Sequence, residues 1–109
     1  MVEVVDRELA VKRAGGRREL AAELHGMLLE STRVLKRLIE SSWTMQDLDA
    51  LLVHVHKLNG STRYCGVPEL ESKCEELETK IKRGAVDLQG DYDALIKAID
   101  RILDLEVEF

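Results

Sequence analysis

The sequence has little of what interrupts or staples a chain. Its 109 residues include one proline, Pro68, and two cysteines, Cys65 and Cys74, and aromatic residues make up only 4%. A single proline leaves room for long uninterrupted helices. Two cysteines supply neither a disulfide framework nor the four ligands of a structural zinc site. Cys74 falls on an apolar helical stripe, where a free thiol packs as a small hydrophobe, and a reducing, cytoplasmic setting is expected. No apolar run approaches the roughly 20 residues of a membrane span, and no signal-peptide core is expected at the N-terminus. Positive charge is also lacking. The formal net charge is -5, which argues against a broad nucleic-acid footprint. Lys12-Arg13 and Arg17-Arg18 are local clusters with acids close behind, and they read as solvated helix faces. There is no glycine-rich phosphate loop, no Walker-type motif and no cluster of metal-binding carboxylates. Neither a nucleotide nor a resident cofactor or metal is expected on this chain.

What is present is helical. Hydrophobic residues at 45% and charged residues at 34% fit a globular chain, and the length fits one domain, taken as 1–109. The pattern predicts five helices. The first, from Asp6 to Ala14, is stopped by Gly15-Gly16. The second runs from Arg18 to Glu40 with Leu20, Leu24, Met27, Leu28, Val34, Leu35 and Leu38 as its apolar stripe. The third takes Thr44 as N-cap, Asp47 as capping-box partner and Trp43 with Leu48 as hydrophobic staple. It runs to Tyr64 or Cys65, where Gly66 ends it. The fourth opens at Pro68 and closes at Gly84, with Leu70, Cys74, Leu77 and Ile81 inward. The fifth starts near Asp91 and turns Tyr92, Leu95, Ile99 and Ile102 or Leu103 inward. Short links between four long amphipathic helices predict an all-α, antiparallel up-down-up-down four-helix bundle, with the short N-terminal helix as an addition.

The informative stretch is Val53-His54-Val55-His56-Lys57-Leu58-Asn59-Gly60-Ser61. At about 100° per residue, Leu48, Leu51, Val55, Leu58 and Thr62 form the core stripe. Leu52, His56, Gly60 and Arg63 form the stripe beside it, so His56 sits at the edge of the buried face. A neutral imidazole is a good nucleophile near neutral pH. Gly60, one turn beyond, costs about 1 kcal/mol of helix stability relative to Ala. It either leaves space beside the imidazole for a second protein or permits close helix packing. His54 is two positions from His56, so the pair does not meet on one helix face to bind a metal. Facing Glu-x-x-His pairs of a metal-binding bundle are also absent. The residues alone leave open a plain helical interaction or oligomerisation module.

His56-Lys57-Leu58-Asn59-Gly60-Ser61, followed by Tyr64-Cys65-Gly66-Val67-Pro68, resembles the histidine-containing phosphotransfer (HPt) domains. The resemblance is closest to the C-terminal HPt modules of BarA/GacS-type hybrid sensor kinases and covers nearly the whole chain. The opening Val5-Asp6-Arg7-Glu8-Leu9-Ala10 and the Gly15-Gly16 break also resemble that group. The resemblance implies that His56 accepts a phosphoryl group from a receiver-domain aspartyl phosphate and passes it to the Asp of a response regulator. It implies a monomeric phosphocarrier of two-component signalling, with Mg²⁺ held by the receiver partner and any membrane anchor elsewhere in a parent kinase. Many members of the family carry a Lys three positions after the His, and here that position is Asn59. Lys57 and Arg63 are the alternative sources of positive charge. Glu78 stands where relatives place a Gln or Glu that bonds the second imidazole nitrogen, and it is otherwise an ordinary solvated carboxylate.

Overall fold

The Asp6 carboxylate accepts a hydrogen bond from Leu9 N at 3.0 Å and opens the first of five helices. In this computed structural model, which describes residues 3–109, these are α1 (Arg7–Arg13), α2 (Arg18–Thr44), α3 (Leu48–Thr62), α4 (Pro68–Lys82) and α5 (Gln89–Asp104). Met1 and Val2, part of the domain expected over 1–109, lie outside the described residues. Among the described residues there is no strand, and no helix is long and apolar enough to cross a membrane. Gly15 and Gly16 take φ values of 69° and 84°, left-handed conformations that glycine adopts without steric cost, and so separate α1 from α2.

The four longer helices form a closed circuit of contacts. α2 packs on α3 and α5, α3 on α4, and α4 on α5, while α1 lies against α2. Between them sit Leu28, Leu35, Ile39, Leu51, Val55, Leu58, Leu70, Cys74, Leu77, Leu95, Ile99 and Ile102, all buried. Each Leu or Ile removed from water in this way contributes about 1.5–3 kcal/mol. Burial of Val55 and Leu58 fixes the rotation of α3, and burial of Cys74 and Leu77 fixes that of α4. Those two rotations aim the residues beside them, His56 and Glu78, at one another.

Several sequence expectations are corrected. α2 does not end near Glu40. It continues through Thr44 and stops where Gln46 adopts φ 56°. Asp47, not Thr44, caps α3, accepting from Ala50 N at 3.1 Å, because Thr44 is still inside α2. Trp43 lies inside α2 and not before a cap, and its ring stacks on Tyr92 of α5 at 4.2 Å. Leu48, assigned to the core, is 43% exposed, since the first residue of a helix has no preceding turn to cover it. On α2 the buried face is Ala21, His25, Leu28, Thr32, Leu35, Ile39 and Ser42, whereas Met27, Val34 and Leu38 are exposed. α5 begins at Gln89 with Leu88 as N-cap. Asp91 lies in its first turn and pairs with Lys80 at 2.8 Å.

Gly66 has a different role from the one its position suggests. Its φ is not in the left-handed region, and α3 has already ended at Thr62. A Cβ on Gly66 would collide with Asp6 O and come within 2.7 Å of Ala10 N and 2.9 Å of Ala10 Cβ. The segment before α1 is bonded here, with Asp6 N donating to Gly66 O at 2.8 Å and Glu69 N to Glu3 O at 3.2 Å. Arg13 completes the join by donating to Thr62 O at 3.1 Å and Cys65 O at 2.7 Å. Gly66→Ala is therefore expected to lose about 1–3 kcal/mol through overpacking against rigid backbone. The measurement is the thermal midpoint by circular dichroism, and an unchanged midpoint would rule out this close approach.

Candidate functional site

His56 lies midway along α3 with its side chain 70% exposed. Its Nδ1 is 2.9 Å from Glu78 Oε2 on α4. A carboxylate only accepts, so Nδ1 carries the proton and donates. In the neutral ring this fixes the tautomer with the lone pair on Nε2. Nε2 makes no hydrogen bond to the described residues.

Glu78 has its side chain 10% exposed, yet it is ionised. Burial alone would raise its pKa, but hydrogen bonds from Lys82, His56 and Asn59 outweigh this, and the carboxyl is held down at about 2. Lys82 Nζ donates to Oε2 at 2.8 Å, and Asn59 Nδ2 donates to Oε1 at 3.3 Å. One buried carboxylate thus takes three donors from two helices. Local sequence explains the arrangement. Glu78 follows Leu77 on the buried face of α4, and Lys82 is one turn further on, the i,i+4 order that suits a Glu–Lys pair.

The structure brings His56, Asn59 and Glu78 together and leaves other expected residues apart from them. Asn59 is 6% exposed and bonded to Glu78, with Oδ1 buried and unpaired. In this position it supports the carboxylate and is largely closed to solvent. Arg63 is exposed and lies 3.5 Å from Glu75. Lys57 is exposed, makes no ion pair within the described residues, and lines the groove between α2 and α3 with Ser31, Val34 and Ser61. Gly60 faces open space, since a Cβ there would meet nothing within 4 Å. Close helix packing therefore does not account for the glycine. Leu52 is partly buried on the same stripe. His54 keeps Nδ1 buried without a partner, and His25 is buried on α2 against Phe109, with ring centroids 5.4 Å apart.

Sequence reasoning missed Lys82. The signal was its i,i+4 spacing from Glu78. The assembled site is a nucleophilic nitrogen with a fixed tautomer, a buried anion behind it and a cation alongside. Such a nitrogen can take up and release an electrophilic group, because the carboxylate offsets the positive charge that develops on the ring.

The profile of the Hpt domain family matches residues 23–105. The chain is 39% identical over 91% of its length to the sensor protein GacS of Pseudomonas syringae pv. syringae. It is 36% identical over 93% of its length to the sensor histidine kinase GacS of Pseudomonas protegens. To the signal transduction histidine-protein kinase BarA of Escherichia coli K12 it is 28% identical over 90%. It spans only 11% of the length of each of these kinases. Among solved structures, the HPT domain of a sensor hybrid histidine kinase from Shewanella superposes with a TM-score of 0.87 at 28% identity, covering 94% of this chain and 90% of that one. By profile, by sequence and by fold, the chain belongs to the Hpt domain family, the histidine-phosphotransfer modules of two-component phosphorelays.

Proposed function

We propose that His56 is the phosphoryl-accepting residue, taking the group from a receiver-domain aspartyl phosphate and passing it to the Asp of a response regulator. The observation that supports this best is the His56 Nδ1–Glu78 hydrogen bond with Nε2 left open. In the forward step the Nε2 lone pair attacks phosphorus, an N–P bond forms, and the P–O bond to the receiver's Asp breaks. The carboxylate leaves with the electron pair. The Nδ1 proton stays on the ring, which becomes cationic against Glu78. The second transfer reverses these bonds onto another Asp. Transfer of this kind depends on positioning and charge stabilisation, and the Mg²⁺ it uses belongs to the receiver. In this reading the chain is a carrier and not an enzyme in its own right.

Lys82 shares Glu78 Oε2 with Nδ1, so it steadies that carboxylate on the side of the ring away from Nε2. Lys57 and Arg63, both exposed, are the cations offered to the phosphoryl oxygens. The circuit of helix contacts and the short links support an antiparallel up-down-up-down bundle with α1 added, forming one domain; in this reading it acts as a monomer. The setting is cytoplasmic, within or alongside a hybrid sensor kinase, and without nucleic acid or membrane contact by this domain. The exposed apolar residues Met27 and Val34 of α2, beside Lys57 and Ser61 of α3, extend the docking face around His56 and Gly60.

The experiment is direct. The domain is incubated with a phosphorylated receiver, and the protein-bound label is tested for stability. Label that is labile in acid and stable in alkali is expected, as for a phosphoramidate. Failure to acquire label from every receiver tried would remove the relay reading in favour of a plain interaction module.

A further inference from the structure

Ile81, next in sequence to Lys82, lines a separate feature between the ends of α3 and α4. It is an apolar hollow of about 550 Å³ shared with Trp43, Leu48, Val86 and Leu88. Val86 is 100% exposed and Leu48 is 43% exposed. Adjoining apolar side chains left in water at such a hollow can seat an apolar side chain of a partner.

The hollow's nine lining residues fall short of the roughly 20–30 a side that a stable interface uses. It is therefore part of a larger footprint. Leu48 and His56 share α3, and eight residues at 1.5 Å rise place them about 12 Å apart along the axis. A standard interface covers about 800 Å² per partner, a disc of about 16 Å radius. A partner centred on His56 therefore extends to Leu48, the hollow's α3 edge. A second copy of this chain has no comparable reason to sit there.

We infer that the hollow is a second anchor for the receiver domain that docks on His56, filled by an apolar side chain of that receiver. The inference rests on the relay reading above and adds to it a binding role separate from the transfer step. Because the hollow does not touch His56, it governs how tightly a receiver is held and not how fast the held complex reacts.

The double variant Leu48→Glu/Val86→Asp places two charges there. Both positions are exposed, and an acid suits the first turn of a helix. Transfer from the receiver that reacts fastest with the unmodified domain is measured against receiver concentration. The half-saturating concentration is expected to rise about tenfold, with the maximal rate unchanged. Labelling by phosphoramidate, a small donor that needs no docking, is expected to stay the same. An unchanged half-saturating concentration overturns the anchor. So does a sedimentation result in which the unmodified domain dimerises and the variant does not. Should phosphoramidate labelling also fall, Val86→Asp alone decides, since that side chain is fully exposed; no change in half-saturation there counts against the proposal. If the unmodified domain takes label from phosphoramidate but from no receiver, the relay reading itself fails.

Discussion

His56→Gln is expected to abolish label uptake while leaving helix content and the thermal midpoint close to those of the unmodified domain. The side chain is 70% exposed, so little packing is lost. Its one hydrogen bond goes to Glu78, which keeps Lys82 and Asn59 as donors. The carboxylate is therefore not left unpaired, the outcome that makes loss of a buried partner costly. A glutamine amide is not a nucleophile that can accept and return a phosphoryl group, so the chemical loss is complete. His54→Gln is the control: that ring is not among the donors to Glu78, and most transfer activity is expected to survive. Label uptake by the His56 variant together with its loss in the His54 variant would show the assignment to be wrong.

Gly60→Gln is expected to slow transfer by about a hundredfold without destabilising the domain. Gly60 lies one turn, about 6 Å, beyond His56 along α3. A Cβ there meets nothing within 4 Å, so the side chain starts into open space, and replacing a helix glycine recovers up to about 1 kcal/mol of helix propensity. The added atoms instead occupy the space through which a receiver's carboxylate approaches, and a misplacement of about 1 Å costs about a hundredfold in rate. Thermal midpoint and transfer rate are read on the same preparation. A midpoint equal or higher with slow transfer supports the steric reading. Normal transfer would remove Gly60 from the docking face. The contrast with Gly66→Ala is instructive, because one glycine faces solvent and the other faces backbone.

Periodicity made α3, α4 and α5 legible because most of their apolar residues fall on a single face. Leu51, Val55, Leu58, Leu70, Cys74, Leu77, Leu95 and Ile99 are all buried. α2 was harder. Its inward face includes Ala21, His25, Thr32 and Ser42, while Met27, Val34 and Leu38 point outward. Hydrophobicity alone selects the wrong members when a helix has apolar residues on two faces. Within the site, His56 and Gly60 were legible from their spacing, and the place of Glu78 came from resemblance. The Asn59–Glu78 bond and the sharing of Oε2 by Lys82 and His56 were not legible. Both depend on the depth and rotation at which α3 meets α4, and no one-dimensional pattern encodes the distance between two helix axes.

The open side of the imidazole has a consequence for the direction of traffic. No lid, loop or neighbouring side chain among the described residues closes over Nε2 of His56. A phosphorylated domain of this shape would hold its cargo in plain view of water and of any receiver able to dock. It would have no gate with which to prefer donor over acceptor. Net flux would then follow the relative amounts of phosphorylated and unphosphorylated receivers, as mass action requires. The domain would behave as a two-way junction whose balance is set by each receiver's own affinity and transfer equilibrium.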